Sequence, residues 1–573
     1  MPAMYDYIVI GAGSAGCVVA SRLSEDSNST VLLLEAGPSD KDYHDYPNIS
    51  IPAMVGTLWQ TDIDWSFKTV PQKHAAQAYT DETIAWPRGK VLGGTSSINY
   101  MAYVRGHSAD YDSWEKLGCD GWGWKDVLPY FIKSENNKCQ KYTDPRFHGV
   151  GGPLTVSDHP SYRTLLSKEF IQAGIELGYP EIDINAGNCI GFGDCPATIS
   201  DGERNSTARA FLHPVMDRNN LTVTTNALVT KILIEDNKAV GVEYMVGDKT
   251  ESVRVSKEVA LCGGTINSPQ ILMLSGIGPR SHLESLGIEC IADLPVGNNL
   301  QDHLLCQLKG SINEESDVMS LNDIMDPKYQ EQYNLDKTGL WTNNGLESFG
   351  FIKSGLVEDV EWPELQMTMF PMYYAIGPDE PKVLGIKSKD LYPCFGYDVN
   401  HEDVMSRKGF MFTPMVLHPK SVGDITLASK DPREPPIIDP HYFEDPHDVK
   451  VMAEGLRFVK RFTETSVMQR FGAKIMDIKM PGTSGDAFSD ENLEKYIRNI
   501  AGTFYHPSGT CKMGGICDET AVVDPKLRVR GIKGLRVIDA SIMPHALSGN
   551  PNAPCIMIGE RGADFIKSSH LDE

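Results

Sequence analysis

The sequence predicts an α/β fold with at least two domains, and three observations support that class. The chain has 573 residues, which is more than one hydrophobic core can bury. Its N-terminal segment reads as strand, glycine-rich turn, helix and strand, the unit from which doubly wound nucleotide-binding domains are built. Residues 311–495 break that pattern with proline-punctuated loops and strand-like runs, which indicates a second domain inserted into the first.

The N-terminal unit contains a fingerprint for a dinucleotide. Residues 5–10 (YDYIVI) are apolar and rich in β-branched and aromatic side chains, which is typical of a buried parallel strand. The GAGSAG turn follows, with Gly11 for the tight bend, Gly13 for the approach of a pyrophosphate and Gly16 for close packing of helix on strand. The next residues have helical spacing, and the N-terminus of that helix offers free N–H groups to an anion.

A second strand, residues 30–34, ends at Glu35. A carboxylate at this point, nineteen residues after Gly16, can accept hydrogen bonds from a ribose diol. Because the same fingerprint binds NAD and FAD, this segment predicts a dinucleotide and leaves its identity open.

Further segments combine glycines and hydroxyl side chains near the ends of predicted elements. Residues 86–112 read WPRGKVLGGTSSINYMAYVRGHSADYD, residues 262–279 read CGGTINSPQILMLSGIGP and residues 296–303 read VGNNLQDH. A Gly-Gly-Thr-Ser-Ser backbone is flexible and rich in hydroxyls, so it suits a loop around an anionic or polar cofactor. Near the C-terminus, residues 505–514 read YHPSGTCKMG and residues 549–560 read GNPNAPCIMIGE.

These segments resemble the signatures of the glucose–methanol–choline oxidoreductases and occur in that family's order. The resemblance runs from Tyr5 to about Lys567 and is weakest over residues 310–400. It implies a Rossmann-like FAD-binding domain and a discontinuous α+β substrate domain built on an antiparallel sheet. The expected FAD-binding domain covers residues 1–310 and 496–573, with substrate-domain insertions near 41–82 and 156–215, and the substrate-binding domain covers residues 311–495.

The resemblance also assigns residues to the cofactor. Some choline oxidases bond the flavin covalently through a histidine in the GGxSSxN loop, where this chain has Ile98, so we expect dissociable FAD. Val229 is expected near the adenine, although a purely structural role in a β-hairpin around residues 235–237 is the alternative. The complete expected cofactor site is Gly11, Gly13, Ser14, Ala15, Gly16, Glu35, Ala36, Arg88, Val91, Gly93, Gly94, Ser96, Asn99, Tyr100, Met101, Val229, Asp539, Ala540, Asn550 and Pro551.

Alcohol oxidation by a flavin needs a group that takes the hydroxyl proton while a hydride moves to the flavin N5. Neutral imidazole suits the first task near pH 7, and a neighbouring amide can steady the developing alkoxide. The family places its catalytic histidine in an xHPxG segment, here His506, and a His or Asn before a later proline, here Asn550. We expect these two residues to be catalytic, and His303 and His545 to be structural.

The expected function is therefore FAD-dependent oxidation of an alcohol to an aldehyde or ketone. In choline-oxidising relatives a glutamate in roughly the segment of Glu347 faces the trimethylammonium group, and Tyr373 is one of the aromatic residues that could wall such a cation. A structural glutamate on a strand is the alternative, so choline is one candidate beside other primary alcohols. Oxygen or a quinone is the expected electron acceptor.

Charge and composition argue against several other classes. The net charge of −24 repels phosphate backbones, so nucleic acid is a poor partner. HExxH, CxxC and GxxxxGK[ST] motifs are absent, so no metal site is expected. The longest apolar stretch near the start, residues 7–20, is interrupted by glycines and too short to span a bilayer. We expect a monomer or homodimer that is cytoplasmic by default, or secreted or organellar if a leader was trimmed.

Three alternatives remain at this point. Algal fatty-acid photodecarboxylases share the fold, but they carry a cysteine where this chain has Leu417, and they lack the catalytic histidine that His506 provides here. A non-catalytic binding protein with an FAD fold would not need His506 and Asn550. An NAD-dependent dehydrogenase would lack the visible absorption of a flavin.

Overall fold

The protein is described by a computed structural model. The residues that it describes are 4–41, 46, 48–159, 161–313, 318–357, 361–372, 385–388, 391, 394–395, 406–476 and 478–569.

The strands belong to two large sheets and several small ones. In chain order they are β1 (Met4–Ile10), β2 (Val31–Leu34), β3 (Phe67–Lys68), β4 (Ala85–Trp86), β5 (Glu135–Asn137), β6 (Leu154–Val156), β7 (Gly191–Asp194), β8 (Ile199–Ser200), β9 (Glu203–Arg204), β10 (Leu221–Thr224), β11 (Ala227–Glu235), β12 (Lys238–Val246), β13 (Lys249–Leu261), β14 (Asn298–Leu300), β15 (Leu304–Leu305), β16 (Leu308–Ser311), β17 (Ser348–Ile352), β18 (Leu365–Phe370), β19 (Gly409–Val416), β20 (Gly423–Thr426), β21 (Ile437–Asp439), β22 (Lys474–Ile475), β23 (Gly502–Thr503) and β24 (Leu535–Val537).

The α-helices lie between and around these sheets. They are α1 (Gly16–Leu23), α2 (Ser108–Lys116), α3 (Trp124–Ser134), α4 (Leu165–Glu176), α5 (Gly264–Leu274), α6 (Arg280–Ser285), α7 (Leu321–Ile324), α8 (Pro327–Asp336), α9 (Pro446–Thr463), α10 (Ser466–Gln469), α11 (Asp490–Ile500) and α12 (Asn552–Ser569). In the described part of the chain, no helix has both the length and the apolar character that crossing a bilayer requires.

The first large sheet has seven strands in the order β10-β2-β1-β13-β12-β11, with β24 paired to the C-terminal end of β13. Strands β10, β2, β1, β13 and β24 run parallel, whereas β11 and β12 form an antiparallel hairpin that continues onto β13. Every residue of β2 and the last four of β1 are buried, as expected for parallel strands covered on both faces. The predicted hairpin is present, and Asp236 and Asn237 turn it with left-handed φ values of 48° and 57°.

The second large sheet has eight strands that pair antiparallel. Its main path is β22-β16-β19-β18-β17-β7, and β15 pairs with both β19 and β23. All eight residues of its strand β19 are buried. Strand β20 belongs instead to a three-stranded sheet with β14 and β21. Helix α9 packs on β19.

These sheets confirm the predicted α/β class with a second, antiparallel layer, and each has its own apolar core. The second sheet takes β7 from the expected insertion at residues 156–215. It also takes β15, β23 and most of β16 from residues that the expected boundaries assigned to the FAD-binding domain. The reason is that β15 and β23 pair with each other across about 200 residues of sequence, which no local pattern reveals.

Candidate active site

One long cavity runs between the two large sheets. It begins at the carboxyl ends of β1 and β2, which is where open parallel sheets usually bind ligands. It ends at the segment after β23 and the residues before α12, which contain His506 and Asn550. The cavity therefore connects the predicted nucleotide site with the predicted catalytic pair.

Two glycine turns meet at the start of the cavity and form a cradle, defined here as Gly11, Gly13 and Gly94. Gly94 has a left-handed φ of 53°, and a Cβ atom on it would lie 2.7 Å from the Cα of Gly13. A Cβ on Gly16 would lie 1.9 Å from the carbonyl oxygen of Gly11, so α1 starts in direct contact with the turn. Only glycine permits this closeness of backbones, which leaves main-chain N–H groups accessible to a phosphate.

Glu35 lies at one end of the cavity, as its position after β2 predicts. Its carboxylate accepts hydrogen bonds from the main-chain N–H groups of Ala12, at 2.8 Å, and Gly37, at 2.9 Å. Burial raises the pKa of Glu35 to about 7, although these two N–H groups act in the opposite direction. Val229 of β11 also lines this end, beside Ala227 and Leu228.

Helix N-termini surround the middle of the cavity. Ser14 and Ala15 precede α1, Asn552 begins α12, and Thr265 lies in the first turn of α5. Ser14 Oγ donates a hydrogen bond of 2.7 Å to Asn552 Oδ1, which joins α1 to α12. The dipoles of all three helices present their positive ends here, an arrangement that favours a pyrophosphate.

Asp539 holds α5 and the segment after β24 together. Its carboxylate accepts hydrogen bonds from the main-chain N–H of Gly264 (2.9 Å), the hydroxyl of Ser268 (2.6 Å) and the main-chain N–H of Ser541 (2.8 Å). Burial raises the pKa of Asp539. With its oxygens engaged by protein donors, Asp539 shapes the cavity, and the adjoining Ala540 also forms part of the wall.

His506 and Asn550 face each other at the far end of the cavity. Asn550 Nδ2 lies 3.1 Å from His506 Nε2, and both residues are buried, with Asn550 7% and His506 9% exposed. The other amide atom, Asn550 Oδ1, is buried without a hydrogen-bond partner among the described residues. An unpaired buried acceptor is costly, so its presence beside an imidazole indicates a place for a ligand hydroxyl or N–H.

The backbone of His506 is fixed by Asp302. One carboxylate oxygen of Asp302 accepts the main-chain N–H of His506 at 2.8 Å, and the other accepts the hydroxyls of Thr503, at 2.5 Å, and Tyr442. Arg88 Nη2 donates a 2.5 Å hydrogen bond to the carbonyl oxygen of Tyr505, the residue before His506. Tyr505 itself has a left-handed φ of 65°, a strained geometry that these contacts hold in place.

The imidazole of His506 is electrically neutral at physiological pH. Burial is the main cause that lowers its pKa well below 6.5, and the nearby His303 and Arg88 act in the same direction. His303 Nδ1 lies 2.9 Å from His506 Nδ1. The ring therefore has a histidine on one side and an asparagine amide on the other.

Aromatic side chains form a wall next to this pair, defined here as Trp59, Tyr100, Phe370 and Tyr505. Ring centroids are separated by 5.1 Å between Trp59 and Tyr505, 5.8 Å between Trp59 and Tyr100, and 5.8 Å between Tyr100 and Phe370. All three pairs meet edge to face, a favourable geometry for aromatic rings. The aromatic wall thus gives the end of the cavity at His506 a largely apolar surface.

The cavity wall brings together most of the residues expected at the cofactor. Those that line it are Gly11, Gly13, Ser14, Ala15, Glu35, Ala36, Arg88, Gly94, Asn99, Tyr100, Met101, Val229, Asp539, Ala540, Asn550 and Pro551. Gly16, Val91, Gly93 and Ser96 do not belong to the described wall and lie behind it. Ser96 Oγ, for example, donates to the carbonyl oxygen of Gly93 at 2.6 Å, so these residues shape the loop.

Glu347, which was expected to face the substrate, lies in a network of protein hydrogen bonds. Glu347 is 2% exposed and does not line the cavity in the described part of the chain. Its carboxylate oxygens accept hydrogen bonds from Asn343 Nδ2 and from the main-chain N–H of Thr164, both at 2.9 Å, and Arg163 lies 3.9 Å away. These partners hold the carboxylate within the protein, as the structural alternative would require. Tyr373 lies outside the described residues.

Sequence reasoning missed His303 and the aromatic residues Trp59 and Phe370. His303 follows Asp302 in the QDH segment, which the sequence associated only with the domain fold. His303 lies 203 positions before His506 in the sequence. The pairing of β15 with β23 brings the two histidines together. Trp59 and Phe370 come from a loop and from β18, and nothing in their local sequence indicates that they meet at one wall.

Comparisons with known proteins agree with this architecture. Residues 5–305 and 419–559 match the N- and C-terminal models of the family described as GMC oxidoreductase. The chain is 41% identical over 571 residues to an alcohol dehydrogenase (acceptor) of Pseudomonas putida, with 98% of this chain and 96% of that protein covered. It is 37% identical over 577 residues to the mitochondrial choline dehydrogenase of Mus musculus, with 98% and 89% covered.

A solved structure gives the same result at the level of the fold. The pyridoxine 4-oxidase from Mesorbium loti superposes with a TM-score of 0.81 at 29% sequence identity, and the match covers 99% of this chain and 100% of that one. The family predicted from the motifs is therefore confirmed. With both family models matched in order and a relative of 41% identity covered over 96% of its length, the chain belongs to the GMC oxidoreductases, a family of FAD-binding enzymes.

Proposed function

We propose that this protein oxidises an alcohol to an aldehyde or ketone, with FAD as its cofactor, His506 as the general base and Asn550 as its partner. The observation that carries the proposal is the contact of 3.1 Å between His506 Nε2 and Asn550 Nδ2 within the cavity that also contains the glycine cradle. A base, an amide and a dinucleotide site in one cavity are the components that flavin-dependent alcohol oxidation needs.

The cradle and the unpaired atom of Asn550 fit FAD and its substrate. The cradle and the helix N-termini of α1 and α12 would hold the pyrophosphate, and Glu35 would accept hydrogen bonds from the ribose. Asn99, Met101 and Ala540 line the stretch between the cradle and His506, where the flavin ring would lie. Bound FAD would supply the hydride acceptor.

His506 would receive the hydroxyl proton of the alcohol at Nε2. Its lowered pKa keeps the ring neutral at pH 7, so a lone pair is available without prior loss of a proton. Asn550 lies on the same side of the ring and would orient the hydroxyl and steady the negative charge that develops on its oxygen. Arg88, which lines the same cavity and donates to the carbonyl oxygen of Tyr505, would add a positive charge to this part of the site.

We propose that FAD binds without a covalent bond. Ile98, at the position where some relatives carry a flavin-linked histidine, is 1% exposed, lines the cavity and has no nucleophilic atom. Among the described residues of the wall, the cysteines are Cys262 and Cys555, and burial raises the pKa of both thiols, so they stay protonated and unreactive. Release of all yellow colour into the supernatant after acid precipitation is the expected result.

The aromatic wall supports an uncharged alcohol with an apolar body as the substrate. Arg88 lines the cavity and acts on the pKa of His506, so a cation lies in this part of the site, which disfavours a quaternary ammonium group. The 37% identity to choline dehydrogenase makes choline the second candidate. That candidate loses its main argument because Glu347 is engaged by Asn343 and Thr164. We propose oxygen or a quinone as the electron acceptor.

Anaerobic mixing of the purified, FAD-loaded protein with a panel of alcohols tests the proposal. The panel contains a primary aliphatic alcohol, benzyl alcohol, choline and glucose, and the loss of flavin absorbance is followed in time. We expect the aliphatic or benzylic alcohol to bleach the flavin fastest. A yellow protein that no alcohol bleaches would refute the function. Fastest bleaching by choline would refute the apolar substrate and leave the alcohol chemistry standing.

Neither the photodecarboxylase nor the non-catalytic alternative gains an observation in its favour. Leu417 is fully buried in an apolar cluster and does not line the cavity in the described residues. His506 and Asn550 keep a geometry that a purely structural protein would not need, since it leaves a buried acceptor unpaired among the described residues.

A further inference from the structure

We infer that His303 is a positioning residue that keeps the proton of neutral His506 on Nδ1 and thereby leaves Nε2 free to act as the base. The inference rests on the proposed function, in which His506 Nε2 takes the hydroxyl proton. Its starting observation is the distance of 2.9 Å between His303 Nδ1 and His506 Nδ1. The two rings meet at 85° with centroids 5.1 Å apart, so this contact is a hydrogen bond and not a stack.

A hydrogen bond between two imidazole nitrogens requires that one nitrogen carries the proton and the other presents a lone pair. If His303 donated, the neutral ring of His506 would carry its own proton on Nε2. That tautomer faces the substrate with a donor and cannot accept a proton. If His506 donates, its Nε2 carries a lone pair and can accept the hydroxyl proton. The direction of this one bond therefore decides whether the base is active.

The surroundings of His506 select the competent direction. Asn550 presents its Nδ2 amide group, a donor, to His506 Nε2 at 3.1 Å. With the amide in this orientation, its donor is satisfied only by a lone pair, which favours an unprotonated Nε2. The proton of the neutral ring then lies on Nδ1, from which it is donated to His303.

The surroundings of His303 favour the same direction of the hydrogen bond, from His506 to His303. Burial lowers the pKa of His303 to about 4, so this ring is neutral too, whereas the backbone carbonyl groups of Leu547 and Leu417 act in the opposite direction. His303 Nδ1 already faces His506, and Nε2 has no direct hydrogen bond among the described residues. Because Nδ1 faces His506 and the ring is neutral, a proton on Nε2 leaves His303 Nδ1 as the acceptor.

The other charged and titratable groups near the two rings do not compete for this bond. Asp302 accepts the main-chain N–H of His506, and Arg88 donates to the carbonyl oxygen of Tyr505. His418, whose own pKa is lowered by burial and by the nearby His303, has its Nε2 3.0 Å from Ser548 Oγ. A proton that moves between His303 and His506 therefore interconverts the tautomers of two neutral rings.

A matched pair of variants in the FAD-loaded protein tests the inference. His303→Leu fills the space without an acceptor, whereas His303→Gln can present a carbonyl oxygen to His506 Nδ1. We expect the limiting rate constant of flavin reduction to fall about 10- to 100-fold in His303→Leu at every pH, part of the roughly 10²-fold or more that a general base contributes. The dissociation constant of the alcohol should change by less than about threefold, and His303→Gln should recover most of the rate.

His159→Leu is the control, because His159 is a buried histidine, 5% exposed, outside the cavity wall. It should leave the reduction rate and its pH profile unchanged. A reduction rate in His303→Leu within about threefold of the wild type, or a loss in His303→Gln as large as in His303→Leu, would overturn the inference. A loss of FAD binding or a weaker substrate affinity as the only effect of His303→Leu would likewise reduce His303 to a structural role.

The unmodified protein provides a second test that does not depend on the folding of variants. With 15N-labelled histidine, the nitrogen spectrum of neutral His506 should show a protonated Nδ1 and an unprotonated Nε2, assigned by comparison with His506→Gln. A protonated Nε2 in the neutral ring would refute the inference. Failure of the proposed function is distinguishable, because His506→Gln would then reduce flavin at the normal rate.

Discussion

At the scale of single residues, buried polar groups determine what the cavity can do. Glu35 and Asp539 each accept several main-chain or hydroxyl hydrogen bonds, and Asn550 keeps one oxygen unpaired among the described residues. The engaged carboxylates shape the cavity, while the unpaired amide oxygen marks the place where a ligand completes the hydrogen bonding. The role of Glu347 depends on its hydrogen-bond partners Asn343 and Thr164, which its position in the sequence does not reveal.

The pKa of Glu35 gives a prediction about stability. A carboxyl group whose pKa the fold raises to about 7 stabilises the folded state fully only below the unfolded value of about 4.5. Its contribution is lost as the pH rises through 7, and the loss is on the order of 3 kcal/mol for a shift of this size. We expect FAD-free wild-type protein to lose more urea resistance between pH 5 and pH 8 than Glu35→Gln does. Equal losses in both proteins would contradict this.

At the scale of elements, the active site depends on where strands and helices end. The cradle lies at the ends of β1 and β2, α5 and α12 begin at the cavity, and β23 leads directly into His506. Local sequence patterns predicted β1, the glycine turn, α1 and β2, because each of these follows from neighbouring residues. The pairing of β15 with β23 could not be predicted, because it joins segments that are distant in sequence. For the same reason the contact of His303 with His506 was missed.

The close approach of the two glycine turns predicts the effect of one methyl group. In Gly94→Ala the new Cβ would lie 2.7 Å from the Cα of Gly13, so the turns must separate and the phosphate site is disrupted. We expect at least about a tenfold weaker FAD affinity, equivalent to about 1.4 kcal/mol, measured by fluorescence titration.

Gly247→Ala is the matched control for that variant. Gly247 has a similar φ of 58°, yet a Cβ atom on it would have no heavy atom of the described residues within 4 Å. Backbone strain is therefore alike in the two variants, and the steric contact differs. Unchanged FAD affinity in Gly94→Ala, or an equal loss in Gly247→Ala, would show that the close approach does not matter for binding.

At the scale of the whole molecule, the cavity joins two layers that have separate cores. The wall takes residues from β1, β2 and β11 of the first sheet and from β18 and β19 of the second, so a bound dinucleotide and substrate would contact both. The family, the fold class and most of the cofactor wall could be predicted because their motifs are short and local. The substrate region could not, because its wall is assembled from Trp59, Phe370 and Met411, which are far apart in sequence.

Dissociable FAD that contacts both layers should stabilise the whole chain. A ligand that binds only the folded state adds about 2.7 kcal/mol at a free concentration of 100 times its Kd. We expect the Tm of the FAD-free protein to rise continuously with added FAD, followed by calorimetry or intrinsic fluorescence. NAD serves as the control and should leave the Tm unchanged. A Tm that does not respond to FAD would contradict dissociable binding.

The most direct test of the central claim is the rate of flavin reduction in His506→Ala. The FAD-loaded variant is mixed anaerobically with the best alcohol of the panel, and the limiting rate constant is compared with that of the wild type. Loss of the general base predicts a decrease of at least about 10²-fold with FAD still bound. A variant that binds FAD and is reduced at the wild-type rate would contradict the assignment of His506 as the base.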